Sequence, residues 1–183
     1  MPENRKTKIP RKATQKSIEN AALAYLQRYA TSAENLRAVL MRRVHRAAYA
    51  HDDDPAAGAE LVAGLIARYK RAGLLDDVAY AEGRVMTLHR RGVSRRGIHA
   101  RLSAKGVSVD DIEAALTCLS GESEDVEFDA ACNYARRRRL GPWRVAGRAE
   151  RRDRDLAALA RQGFGYDLAS KIIDADDVAA LEE

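Results

Sequence analysis

Short helices separated by tight glycine turns are the pattern that most constrains this chain. Residues 71–77 read RAGLLDD, and residues 92–94 and 106–108 both read GVS. Glycine is favoured where a helix ends in a left-handed residue, and Ser or Asp can accept hydrogen bonds from the first turn of the next helix. The pattern therefore predicts an all-α fold of short, chained helices, with no room for a sheet or a catalytic loop.

The same helix-turn-helix pattern recurs along the chain. Setting residues 102–110 over residues 159–167 aligns the turn glycines of the two segments. Residues 36–40 take the places of residues 98–102, although the turn glycine is missing from this first copy. Such self-similarity indicates a helical module used in tandem, because one small module has too little apolar surface to be stable alone. We predict an elongated, curved array of three tandem three-helix repeats.

The domain boundaries follow from this repeat and from charge. Residues 1–16 contain six Lys or Arg side chains against one acid, with little to bury, which is typical of a disordered basic arm. We expect three-helix modules at residues 17–75, 76–120 and 121–177, followed by a C-terminal tail at 178–183.

Composition points to surfaces as the functional part of the molecule. Aromatic residues make up only 5%, and 32 basic residues against 27 acidic ones give a formal net charge of +5. A moderate positive charge favours anionic partners, although an excess of Arg can also follow from genomic base composition. No apolar run approaches the roughly 20 residues of a membrane span, and no signal peptide is recognisable, so we expect a cytoplasmic protein without a membrane partner.

The residue types that carry catalysis or metal binding are not clustered. The four histidines have no ligand spacing, and Cys118 and Cys132 lie on different predicted helices, where free, partly buried thiols are expected. Asp76 and Asp77 are interpreted as helix-capping residues, and no nucleotide-binding glycine motif is present. We therefore expect no enzymatic activity, no cofactor, no metal and no small-molecule substrate.

One basic cluster has two open interpretations. Arg136–Arg139 are followed by Arg144, Arg148, Arg151, Arg152 and Arg154, diluted by Glu150 and Asp153. Long Arg side chains often form a solvated helix face, but they also bind carboxylates or phosphates. Tyr134 and Trp143 bracket the cluster, whereas core positions are expected for the other tyrosines of the helical pattern, namely Tyr25, Tyr29, Tyr69, Tyr80 and Tyr166.

The order of these features resembles the RecX family of recombination regulators. The matching segments are residues 73–81 (GLLDDVAYA), residues 92–106 with Arg95 and Lys105, and residues 159–167. Coverage extends from about Ile18 to Ile173. Two features depart from the family pattern. Gly97 stands where a basic residue is expected before Ile98, and the cluster Arg136–Arg139 looks like a local addition to the family sequence.

The resemblance implies a partner and a mode of action. RecX proteins engage the RecA recombinase as a filament on single-stranded DNA, lie in its helical groove, and hinder its assembly, ATP turnover and strand exchange, thereby modulating recombination and DNA repair. We expect a monomer that contacts acidic residues of the recombinase or the DNA phosphates within the filament. The expected contact residues are Arg95, Arg96, Lys105, Arg136, Arg137, Arg138, Arg139, Arg148, Arg151 and Arg152. The alternatives are a general nucleic-acid-binding helical protein, which would bind bare DNA through its basic surfaces, and a structural adaptor.

Overall fold

The computed structural model describes residues 10–121 and 125–181, and these contain helices and turns but no strand. The all-α prediction is therefore confirmed. The α-helices of this part are α1 (Gln15–Leu26), α2 (Ala33–His51), α3 (Pro55–Arg71), α4 (Asp77–Arg90), α5 (Arg95–Ser103), α6 (Val109–Thr117), α7 (Val126–Arg138), α8 (Arg148–Gln162) and α9 (Tyr166–Ile173). Short 3-10 turns lie at Cys118–Gly121, Gly141–Trp143 and Ala179–Leu181.

The chain divides into two compact units, Met1–Asp77 and Val78–Glu183. Most of the predicted basic arm lies outside the described residues. Its end is ordered, however: α1 begins at Gln15, and Thr14 caps it by accepting a hydrogen bond from the Ser17 amide. The prediction of disorder is therefore wrong for residues 15 and 16, because this cap fixes the start of the helix.

Side-chain caps begin most of the helices, as the sequence pattern predicts. Each capping side chain accepts a hydrogen bond from an amide two or three residues later, which satisfies a donor that the helix leaves unpaired. The capping residues are Thr14, Ser32, Asp54, Ser94, Ser108 and Asp125.

The helices α4, α5 and α8 end in the same hydrogen-bonded turn. After a left-handed residue, the amide of the next apolar residue donates to a carbonyl five positions earlier, as in a Schellman motif. The distance is 3.1 Å from Val93 to Leu88, 3.2 Å from Val107 to Leu102 and 3.3 Å from Phe164 to Leu159. The apolar residues are buried, so each turn links a helix end to the core.

The first unit packs α1, α2 and α3 around one apolar cluster. Its most buried side chains are Ile18, Ala22, Leu36, Leu40, Val44 and Val62. Asp77, at the start of α4, contacts both α2 and α3. Its Oδ1 accepts a 2.7 Å hydrogen bond from the Ala33 amide, and its Oδ2 lies 3.2 Å from Lys70 Nζ. This aspartate therefore complements the positive end of α2.

The second unit contains two apolar clusters, one formed by α4–α6 and one by α7–α9. Ile98, Leu102 and Ile112 are fully buried in the first, and Leu159 and Ile172 in the second. The division into three modules, with the boundaries given above, stays a prediction.

Close backbone contacts join the two clusters of this unit. A Cβ at Gly97 would overlap the carbonyl oxygen of Gln162, and a Cβ at Gly163 would overlap Ser94 Oγ. The Ser94 amide and hydroxyl both donate to the Gln162 carbonyl, at 3.2 Å and 2.9 Å. The start of α5 thus supplies donors to the end of α8. Gly97, which departs from the family pattern and has low helix propensity, is needed for this approach.

A buried ion pair holds the segment between α7 and α8. Asp155 on α8 is 3% exposed, and its carboxylate accepts hydrogen bonds from Arg144 Nη2 at 2.7 Å and from the Gly141 amide at 3.1 Å. Because removing one partner leaves a desolvated charge, such a pair is costly to break. The pair therefore fixes the Gly141–Trp143 turn against α8.

We predict that Gly97→Ala destabilises the protein, although alanine is the better helix former. The added methyl group must displace the backbone at Gln162, so the free energy of unfolding should fall by about 1–3 kcal/mol. Urea denaturation would measure it. Gly83→Ala is the matched control, because nothing lies within 4 Å of a Cβ there, and it should stabilise by about 0.5–1 kcal/mol. Equal stabilisation by both variants would contradict the proposed close approach.

We predict that Asp155→Asn lowers the free energy of unfolding by about 2–3 kcal/mol, because it leaves the half-buried Arg144 guanidinium without its counter-charge. Asp153→Asn makes the same chemical change at a side chain that is 98% exposed and should stay within about 0.5 kcal/mol of the parent protein. Thermal melts of the two variants side by side test this, and similar melting temperatures would refute the structural role of the pair.

Candidate partner-binding surface

The C-terminal end of α7 carries four consecutive arginines, Arg136–Arg139. Asp125 caps α7, Glu127 and Asp129 lie in its first turn, and Arg136, Arg137 and Arg138 in its last. Acids at the start of a helix and bases at its end are both stabilised by the helix dipole. The dipole therefore accounts for part of this gradient.

All four arginines of Arg136–Arg139 are exposed, but they differ in what they contact. Arg136 donates to the Asn133 side chain at 3.2 Å, and Arg137 donates to the backbone carbonyl of Arg91 at 2.5 Å. Arg137 also lies 5.9 Å from the Tyr134 ring centroid. Arg138 and Arg139 make no side-chain hydrogen bond or ion pair with any residue that the structure describes.

Two of the predicted contact residues on α8 are held by the chain itself. Arg148 donates to the carbonyl of Ile173, the last residue of α9, and to the carbonyls of Ala175 and Asp176 just after it. Arg152 forms a bidentate pair with Asp174 at 2.7 Å and 2.6 Å. The hydrogen bond to Arg152 holds the pKa of Asp174 below its usual value, and the same bond raises the pKa of Arg152.

The exposed flank of α8 carries a different set of arginines. Arg151, Arg154 and Arg161 follow one another at intervals of three and seven residues, which places them on one side of the helix. These side chains are exposed and have no hydrogen-bond or ion-pair partner within residues 10–121 and 125–181. Arg161 was not among the sequence-predicted contacts, although the helical spacing from Arg154 is readable from the sequence.

The second module contributes fewer free cations. Arg95 is half-buried: its side chain donates to the Leu116 carbonyl at 3.3 Å, and its amide donates to Glu127. Arg96 is exposed and, in the described part of the chain, unpaired. Lys105 is exposed in the turn after α5. Arg101, missed by sequence reasoning, donates to the Gln162 side chain at 2.9 Å across the module contact.

The aromatic residues do not form a stacking platform beside the arginines. Tyr134, which brackets the cluster in sequence, is 7% exposed and belongs to the core, while Trp143 is half-buried against the same core. The expectation of core positions is wrong for Tyr29 and Tyr166, which are 55% and 66% exposed. Base stacking between exposed aromatics and arginines therefore has no support at this cluster.

The described residues show no group of His, Cys, Asp and Glu side chains that could hold a metal ion. Both cysteines are free; Cys118 is exposed, contrary to the partly buried position expected. Burial raises the pKa of the half-buried Cys132 thiol to about 11, so it is a poor nucleophile at neutral pH. Within the same residues, no helix has the length and apolarity of a membrane span.

Comparison with known proteins identifies relatives of this chain. Residues 76–116 match the family model described as RecX, second three-helix domain. The chain is 42% identical over 171 residues to the regulatory protein RecX of Myxococcus xanthus (strain DK1622), covering 92% of this chain and 90% of the relative. It is 32% identical over 155 residues to the regulatory protein RecX of Agrobacterium fabrum (strain C58), covering 84% and 80%.

The fold is also that of solved RecX structures. A crystal structure of RecX from Lactobacillus salivarius aligns with a TM-score of 0.56 at 20% identity, over 87% of this chain and 94% of that chain. A crystal structure of a regulatory protein RecX aligns with a TM-score of 0.58 at 22% identity, over 87% and 71%. Together with the sequence identities, these likenesses show that the chain belongs to the RecX family of regulatory proteins.

Proposed function

We propose that this protein binds the RecA recombinase filament on single-stranded DNA and restrains its assembly, ATP turnover and strand exchange. The observation that carries the proposal is a set of exposed arginines without partners in the described part of a RecX-family chain, on the end of α7 and the flank of α8. Uncompensated guanidinium groups bind carboxylates or phosphates through paired hydrogen bonds.

The proposed contact set is narrower than the set expected from sequence. Arg138, Arg139, Arg151, Arg154 and Arg96 are free to meet a partner. Arg148 and Arg152 already satisfy the end of α9 and Asp174, and the Arg95 side chain already donates to the Leu116 carbonyl. Recruiting these three would require breaking internal contacts first, so we assign them positioning roles.

The mode of action follows from binding alone. Several weak ionic contacts on one rigid unit reinforce each other, because after the first contact the others form at a high effective concentration. A protein that bridges neighbouring subunits of a filament would oppose their movement during nucleotide turnover and would block addition at a growing end. In this mode of action, no bond is made or broken by the protein's own side chains.

The chemistry of the partner is best described as acidic protein side chains. The net charge of +5 is modest for a protein that must hold bare DNA. The acidic start of α7 is not an argument against phosphates, however. The helix has 13 residues, so its two ends are about 18 Å apart, which is well beyond the screening length of about 8 Å at physiological salt.

We predict that the triple variant Arg138→Glu, Arg151→Glu, Arg154→Glu binds RecA–single-stranded DNA filaments at least about tenfold more weakly, because attractive contacts become repulsive. Filament pulldown with a nonhydrolysable ATP analogue gives the affinity, a strand-exchange assay gives the functional loss, and circular dichroism verifies unchanged helical content.

The control for this variant reverses Arg28, Arg42 and Arg71, which are also exposed and unpaired among the described residues but belong to the first unit. Both triple variants change the net charge by the same amount. Equal loss of binding would indicate a general charge effect and would contradict the assigned surface. Tight binding of the parent protein to bare single strands, with a steep salt dependence, would favour the general nucleic-acid-binding alternative.

A further inference from the structure

Arg139 occupies a backbone position that is glycine at four other described helix ends. Its φ and ψ are 55° and 53°, in the left-handed region. The residues at the matching position of the turns after α3, α4, α5 and α8 are Gly73, Gly92, Gly106 and Gly163, all with positive φ. At Arg139 the following Leu140 amide donates to the Ala135 carbonyl at 2.9 Å, the same bond that defines the glycine turns.

This position has an energetic cost for a side chain with a Cβ. A left-handed residue other than glycine brings its Cβ close to a backbone carbonyl, whereas glycine adopts the conformation freely. Asp52 is the other described residue of this kind, with φ of 52°, but Asp has a short polar side chain that tolerates the region. Arginine has no such compensation.

No hydrogen bond or ion pair of the Arg139 side chain with a described residue offsets that cost. The Arg139 side chain is exposed, and it has no hydrogen bond or ion pair to any residue in 10–121 or 125–181. Favourable interaction with the helix dipole is already supplied by Arg136, Arg137 and Arg138 in the last turn of α7. A fourth cation there adds repulsion among like charges, so the fold alone gives no reason for arginine at this turn.

We propose that Arg139 is a partner-contacting residue, retained at the expense of folding stability because its guanidinium binds a carboxylate on the partner protein. The inference rests on the proposed function, since the partner is the RecA filament, and it deepens that function by giving one residue of the contact set a cost in folding stability. Arg139 follows directly on the three arginines in the last turn of α7, and its side chain is exposed. Backbone strain held at a surface cation is a recognised sign of function.

The test is the single variant Arg139→Gly. Relief of the left-handed strain should raise the melting temperature by about 2–4 °C, while loss of the charge-assisted contact should weaken filament binding by about three- to tenfold. Opposite changes in stability and binding are the expected signature, because a solvated arginine with no role would give higher stability at unchanged affinity.

Two controls separate strain from charge. Arg138→Ala removes an exposed, unpaired cation from a helical position, so it should not raise the melting temperature. Gly73→Arg places arginine in a left-handed turn with nothing within 4 Å of its Cβ, so it should lower the melting temperature by about as much as Arg139→Gly raises it.

The outcomes distinguish this inference from the proposed function. If the parent protein does not bind filaments, the proposed function fails, whatever the melts show. If the parent binds and Arg139→Gly binds equally well, the assignment of Arg139 is overturned. If the melting temperature does not rise, the argument from strain is overturned. If the loss appears only with bare single-stranded DNA, the contact is to phosphate and the carboxylate assignment is wrong.

Discussion

The rest of the structure depends on one backbone interaction, the hydrogen bond that closes α4, α5, α7 and α8 after a left-handed residue. It ends a helix within a single residue and brings the next apolar side chain into the core, as at Val93, Val107 and Phe164. Because the helices are short, from 8 to 19 residues among those described, little of their stability can come from helix propensity alone. Repeated closure and burial at these turns is what allows small helical groups to form apolar cores.

A second constraint acts where two such groups meet within the unit Val78–Glu183. The contact between the start of α5 and the end of α8 is made by backbone and by small side chains, with the Ser94 hydroxyl and amide both serving the Gln162 carbonyl. Glycine at residue 97 costs helix propensity locally and makes possible a contact that a Cβ would prevent. The local disadvantage is therefore explained by packing, as expected where sequence propensity and tertiary structure disagree.

Much of the fold could be predicted from residues close together in sequence. Caps such as Ser94 and Ser108 and the glycine turns are local signals, and the structure contains them. Features that depend on distant residues could not be predicted. Gly97 looked like a defect because the sequence does not show that Gln162 lies beside it, and the exposure of Tyr29 and Tyr166 depends on which helix faces find partners.

The candidate surface shows the same division. The sequence shows only that the arginines lie close together along the chain. The structure separates those that donate to backbone carbonyls or to Asp174, such as Arg148 and Arg152, from those without such a partner among the described residues. That separation matters because an internally satisfied guanidinium gains little from a partner, whereas a free one can form a new charge-assisted bond. Arg139 is the sharpest case, since it is both free and conformationally costly.

The most direct test of this account is a cryo-EM reconstruction of the protein bound to RecA filaments on single-stranded DNA. The account predicts that the end of α7 and the Arg151–Arg154 flank of α8 face acidic side chains of the recombinase, with no covalent change in either protein. Filaments without added density, or density in which this surface faces solvent, would contradict it.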